Sequence, residues 1–380
     1  MKKINVYLQY PWRIIDSSYY RNLLIYKTPK INFLNKDKVK VVISKRGFKI
    51  NWALKEIVRR IIGIVKIPNI IYTFNNEAEI IHCAHCLSLN KKPWVVDFEN
   101  YGALSAGGVE VTHSFIGRKI VKRLLKSRNC KKILPWTEAA KKSLLTEIDD
   151  PEIIKKIELL PFALKINKFK SKRKNNHINI LFIGRYFRAK GGYIAVEVIN
   201  ELTKKYPNIY GTIISDTPKK VLEKYKKNRR IKFSNLVSPD TLMKEIYPSA
   251  DIFLYPGFSD TFGFTLVEAM SFKLPIVTFE GFARDEIVID NKSGFIIKKG
   301  KNEVDWMEFM EKKPPIERLK ETNRKNKYIK NAIEKTEILV KDEKLRKKMG
   351  ENGYNLVNDG KFSIKERNKR LEKIYREALK

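Results

Sequence analysis

Asp260 and Glu268 have seven residues between them, and those residues read as a Phe-Gly-Phe turn opening a helix. An apolar run, DIFLYP (251–256), enters the segment, and FTLVEAMSF (264–272) leaves it. Acids beside such sequence cost stability unless something pairs with them, so the pattern points to a ligand. Backbone N–H groups at the helix start, from Phe264, Thr265 and Leu266, suit a phosphate. Glu268, one turn in, can accept two hydrogen bonds from a vicinal diol such as a ribose; its structural alternative is a partner for the helix dipole. Asp260 can reach sugar hydroxyls, or serve as an Asx turn or N-cap.

A second loop, GRYFRAKGG (184–192), lies between the apolar run INILFI and the helical pattern GYIAVEVINELTKKY. Gly184 lets backbone approach a ligand closely. Arg185 and Lys190 place two cations at a helix N-terminus that already favours anions, so a diphosphate is the natural guest. In a chain this rich in lysine, the alternative is two ordinary solvated charges. HCAHC (82–86) invites a metal reading, but alternate residues of a strand point to opposite faces and no second ligand cluster completes a tetrahedral site. His82 and His85 are then candidates for lining a cleft at a strand end, or structural histidines. No metal site is expected. Cys83 and Cys86 lack the helix N-terminus that a redox pair uses.

The elements that must position these residues alternate. INVYLQY (4–10), VKVVI (39–43), EIIHCAH (79–85), PWVVDF (93–98), KKILPW (131–136) and KIELLP (156–161) read as strands, with helical patterns at 52–65, 114–127 and 137–147. A basic, polar stretch at 160–178 reads as a linker. A second series follows: 178–184, 209–214, 231–236, 251–256, 274–279 and 294–297. Charged, periodic segments at 328–350 and 362–380 read as amphipathic helices. This order predicts an α/β protein of two Rossmann-like, doubly wound parallel-sheet domains facing across a cleft. Their expected bounds are 1–163 with a returning helix at 362–380, and 164–361. Ligands of such sheets sit beyond the carboxyl ends of the strands, where both loops fall.

The 78 Lys and Arg against 42 Asp and Glu give a net charge of +36, so anionic partners are expected. Lysine scattered through every segment fits a general compositional bias equally well. Two basic amphipathic stretches, 52–66 and 114–129, are suited to an anionic membrane surface or to packing on a sheet. No apolar run approaches the roughly 20 residues that cross a bilayer. Three cysteines build no disulfide framework, and a cytoplasmic location is expected, with contact at the cytoplasmic face of a membrane as an extension. No nucleic-acid signature accompanies the charge.

Taken in order, GRYFRAKG, SADIFLYPG and the acid, seven residues, Glu-Ala pattern D-TFGFTLV-EA resemble the signature of glycosyltransferase family 4, retaining enzymes of the GT-B fold. LPIVTF and EIVIDNKSGFII downstream, and LPWTEAAKKSL upstream, are similar to further family segments. The resemblance is dense over 178–297 and diffuse over 79–162.

It implies a metal-independent transferase of hexosyltransferase type that takes a nucleotide-diphosphate sugar and needs no separate cofactor. The acceptor class is a glycan, a lipid-linked group or a small molecule. Arg185 and Lys190 would neutralise the leaving diphosphate, Glu268 would bind the ribose, and Asp260 would lie near the donor sugar. Gly184, Val237 and the run Thr261, Phe262, Gly263, Phe264, Thr265 and Leu266 would contact the donor, Val237 through backbone near the base. The chain departs from the family pattern in having Asp at 260 and no Gly-Gly loop after the first strand. A family histidine is also replaced by PWVVDFENYG, which offers Asp97 and Glu99. Glu99 is therefore the candidate acceptor-side carboxylate. The rival readings are a basic RNA- or membrane-binding protein with a degenerate donor pocket, a phosphorylase and an epimerase.

Overall fold

Short runs of Ile, Val, Leu and Phe ended by Gly, Pro or polar residues are what strands buried on both faces require. The computed structural model describes residues 2–10, 17–36, 61, 63–105, 109–166, 169, 171–173, 176–257, 260–298 and 322–380. It divides into two units, Met1–Ala163 with Ser363–Lys380, and Leu164–Phe362.

In the first unit the strands are β1 (Ile4–Gln9), β2 (Ile31–Phe33), β3 (Ile70–Ile71), β4 (Ile80–Ala84), β5 (Leu87–Ser88), β6 (Trp94–Phe98) and β7 (Cys130–Pro135). Five form a parallel sheet in the order β2-β1-β4-β6-β7, and β3 pairs with β5 separately. Every residue of β4 and β6 is buried. Ser114 caps the helix Phe115–Lys126 by accepting from the Gly117 N–H, and Thr137 caps Glu138–Leu145 by accepting from Ala140. The helix Ile364–Ala378 packs on β7, and its Arg367 donates to the Tyr26 carbonyl at 3.0 Å.

The second unit contains β8 (Ile178–Gly184), β9 (Ile209–Ser215), β10 (Ile231–Ser234), β11 (Ile252–Tyr255), β12 (Ile276–Phe279) and β13 (Gly294–Ile297). All are parallel, in the order β10-β9-β8-β11-β12-β13. Counting from β8 this is the doubly wound order 3-2-1-4-5-6, whose direction reverses between β8 and β11. The helices Gly192–Lys205 and Thr322–Lys341 pack on each other and close a core that includes Phe182, Ile199, Leu202 and Leu254.

Several expectations change. KIELLP forms no strand: Ile157 makes one isolated bridge to Ile133 before the chain reaches Pro161, which has no N–H to extend a ladder. The single helix expected over 328–350 is two, Thr322–Lys341 and Glu343–Asn358, because Asp342 leaves the helical conformation and caps the second by accepting from Leu345 at 2.8 Å. The short strands β2, β3 and β5 and the helix Ser18–Ile25 carry too few residues to show a period. The expected strand at 39–43 and most of the helix at 52–65 lie outside the described residues.

Candidate functional site

At the switch point the loop after β8 meets the loop after β11. Gly191 takes φ +80°, and a Cβ there would stand 1.8 Å from the Pro256 carbonyl oxygen, so only glycine permits this approach. The turn is fixed by the Lys190 N–H donating to Tyr186 at 2.8 Å and the Gly192 N–H donating to Phe187 at 2.7 Å. Gly184 lies beneath Lys190, whose Cβ would be 2.7 Å from an added methyl. Lys190 then reaches across, Nζ to Asp260 Oδ2 at 3.1 Å, with both side chains under one-fifth exposed. Arg185 is exposed on the same loop.

Asp260 Oδ2 also accepts from the hydroxyl of Tyr255, the last residue of β11. Gly263 (φ +91°) then opens the helix Phe264–Ser271, whose N-terminus has no side-chain cap. Glu268 lies one turn in, and Tyr247 donates to its Oε2 at 2.8 Å. Burial, reinforced by the adjacent carboxylate, pushes both phenols well above the usual tyrosine range. Both are therefore committed donors.

Residues 165–335 match the family model for glycosyl transferases group 1. The second unit is a group 1 glycosyl transferase domain. The gpi3 subunit of phosphatidylinositol N-acetylglucosaminyltransferase from Schizosaccharomyces pombe is 24% identical over 51% of this chain and 42% of its own length. The capsular polysaccharide biosynthesis glycosyltransferase CapM from Staphylococcus aureus is 24% identical over 59% of this chain and 53% of its own. The chain thus spans about half the length of these curated relatives. Anabaena HepE, solved in complex with UDP and glucose, aligns with a TM-score of 0.57 at 11% identity, covering 98% of this chain and 99% of that one. Likeness at this identity establishes the fold, which is GT-B, with two Rossmann-like domains.

Within the group 1 domain, four residues chosen from sequence, Gly184, Lys190, Asp260 and Gly263, come together, with Glu268 on the helix that follows. Others are placed differently. The Leu266 N–H, expected to face a phosphate, donates instead to the Gly263 carbonyl at 2.9 Å. Phe262 is buried, with its ring against Phe264 and Phe362, and anchors the turn. Thr261 and Thr265 are half-buried on either side of that turn. Val237 follows β10, two strands from β8 on the same edge.

Sequence reasoning missed Tyr247, Tyr255 and Arg284. Arg284 is fully buried on the turn after β12, donating from Nε to Phe279 at 2.7 Å and from Nη2 to Glu280 at 3.0 Å, and its charge acts on Tyr255. The one available signal was a tyrosine immediately before the proline that ends the DIFLYP run.

In the first unit, His82 is fully buried, which corrects the expectation that it lines a cleft. Its Nε2 is 3.0 Å from Asp97 Oδ2 and its Nδ1 is 2.5 Å from the Tyr375 hydroxyl, while Tyr20 donates to the other Asp97 oxygen. His85, at the end of β4, is half-buried with φ +53°, and its Nε2 accepts from the Glu99 N–H at 3.3 Å. Tyr10, Tyr20 and Trp136 surround its ring. His85 and Glu99 therefore adjoin at the carboxyl edge of that sheet. Among the described residues no group of three or more His, Cys, Asp or Glu is placed to hold a metal, and no helix is long and apolar enough to cross a membrane.

Proposed function

We propose that the chain is a retaining glycosyltransferase that moves a sugar from a nucleotide-diphosphate sugar to a glycan, lipid-linked or small-molecule acceptor. The observation that carries this is the Lys190–Asp260 pair at the switch point of the second sheet, with Glu268 following on the helix that starts there. Arg185 and Lys190 neutralise the leaving diphosphate, and the uncapped helix start at Gly263–Thr265 adds N–H dipoles. Glu268 accepts from the ribose hydroxyls. Asp260 orients the donor sugar, and backbone near Val237 meets the base.

As the bond from the anomeric carbon to the diphosphate oxygen breaks, the acceptor oxygen bonds that carbon on the same face. The departing phosphate oxygen takes the acceptor's proton. The charge that develops is carried by side-chain cations and helix dipoles, so the reading is of metal-independent, hexosyltransferase-type chemistry. His85 and Glu99 are the acceptor-side candidates. The relatives' names include a phosphatidylinositol and a capsular polysaccharide, which supports a lipid or glycan acceptor. Peripheral contact with anionic lipid is supported by the helix Phe115–Lys126, where exposed Phe115 and Ile116 adjoin Arg118, Lys119, Lys122 and Arg123.

The test is thermal stabilisation by UDP, GDP and ADP and their sugar conjugates, with Arg185→Ala and Glu268→Ala alongside. Selective stabilisation by one base, reduced at least about tenfold in apparent affinity in both variants, is expected. A folded protein that none of these ligands stabilises would refute the transferase reading.

A further inference from the structure

Asp260 and Glu268 are the two acids of the proposed donor site. Each is gripped by one phenol, and the two phenols belong to a single aromatic row. The Tyr247 ring lies 6.2 Å from Phe253, and Phe253 stacks on Tyr255 at 5.9 Å and 10°, as expected for residues two apart on one face of β11. Phe272 also stacks on Tyr247, at 5.3 Å and 11°. The row is rigid because both tyrosines are fully buried, and each ring has few ways to move.

We propose that Tyr255 and Tyr247 are positioning residues that divide the donor between them, Tyr255 setting Asp260 for the sugar and Tyr247 setting Glu268 for the ribose. The inference rests on the transferase reading above and assigns it two further residues.

A buried tyrosine that needs only to satisfy its hydroxyl commonly finds a carbonyl. Tyr19 does so with Leu160 at 3.1 Å and Tyr101 with Thr112 at 3.0 Å, both in the first unit. Tyr255 and Tyr247 spend theirs on carboxylates that are only partly buried. The choice has a chemical consequence. A carboxylate fixed through one oxygen presents the second in a set direction, and a hydroxyl-rich ligand reads that direction. On Asp260 both Tyr255 and Lys190 use Oδ2, so the phenol and the cation jointly set the plane of the carboxylate. Without Tyr255, the carboxylate follows Lys190 alone, and Lys190 turns towards a diphosphate when one binds.

Tyr255→Phe and Tyr247→Phe remove one hydroxyl each and keep the rings. Calorimetric titration uses UDP, GDP and ADP, then the glucose, galactose and N-acetylglucosamine conjugates of whichever diphosphate binds. Tyr247→Phe should weaken the bare diphosphate and its sugar conjugate by the same factor, about tenfold, the worth of a hydrogen bond to a charged group. Tyr255→Phe should leave the bare diphosphate within about twofold of wild type and remove most of the extra affinity that the sugar confers. In an Asp260→Asn background, Tyr255→Phe should have no further effect on the conjugate, which a general loosening of the fold would not reproduce.

Equal losses for both ligands in both variants, or wild-type affinities in both, would overturn the division of roles. So would a wild-type protein that binds no sugar conjugate more tightly than the bare diphosphate, because Asp260 would then be gripping nothing. A wild-type protein that binds no diphosphate at all refutes the transferase reading itself, which is a distinct result.

Discussion

Asp97 in the first unit and Asp260 in the second sit at corresponding places, at the carboxyl end of a central parallel strand or just beyond it. Each accepts from a buried tyrosine and each meets a nitrogen, His82 at 3.0 Å and Lys190 at 3.1 Å. They differ in exposure: the Asp97 side chain is 0% exposed and that of Asp260 is 17%. A carboxylate sealed among Tyr20, His82 and Tyr375 has its acceptor capacity consumed by protein. One that opens to solvent beside Lys190 has capacity to lend. A tyrosine, a carboxylate and a basic nitrogen thus make a sealed strut in one unit and, on the proposed reading, a donor receptor in the other.

The largest expected effect separates the two. Asp97→Ala strips Tyr20 and His82 of a shared acceptor inside the core and should cost about 3–5 kcal/mol of stability, read as a drop in the denaturant midpoint. The affinity of the surviving folded protein for a nucleoside diphosphate should not change. A stability loss below about 1 kcal/mol would contradict the strut.

Gly191→Ala attacks the other side of the comparison. With φ at +80° and the Pro256 carbonyl in the way, the methyl forces the two loops apart, at a cost of about 2–3 kcal/mol. Here diphosphate affinity should fall together with stability. Wild-type binding would show that the contact between the loops does not shape the receptor.

The smallest effect lies away from both. Glu337, held by Lys205, Tyr206 and Lys341, has its carboxyl lowered from 4.5 to about 2. Its contribution is therefore complete above about pH 4.5 and is lost as pH falls towards 2. Glu337→Gln should lower the melting temperature by the equivalent of at most about 1 kcal/mol at pH 7, since the lysines are largely in water, and by less at pH 3.5. A gap that widened on acidification would reverse the sign of this linkage.

The contrast between the units was partly legible in the sequence. Gly184, Lys190, Asp260 and Glu268 announced themselves because polar residues interrupting apolar runs have few structural excuses. The parallel strands of the second unit were readable for the same reason, as runs of Ile, Val and Phe with sharp ends. Tyr247 and Tyr255 were hidden, because an aromatic residue in an apolar run looks like core and its hydroxyl leaves no periodic trace. His82 was ambiguous instead. Its type left both a cleft-lining and a structural role open until Tyr375, almost three hundred residues on, turned out to complete its hydrogen bonding. Strands of two or three residues gave no pattern at all, because pairing and not local preference holds them.

That bond from Tyr375 to His82 has a consequence for the order of events during synthesis. The first unit is interrupted between Ala163 and Ser363, so the second is an insertion within it. A ribosome delivers Tyr20, His82 and Asp97 early, then all of the inserted unit, and only then the helix that carries Tyr375. All the strands of the first sheet are made before the inserted unit begins, but the hydrogen bonding of His82 is closed only when the last helix arrives. The unit begun first is therefore the one finished last.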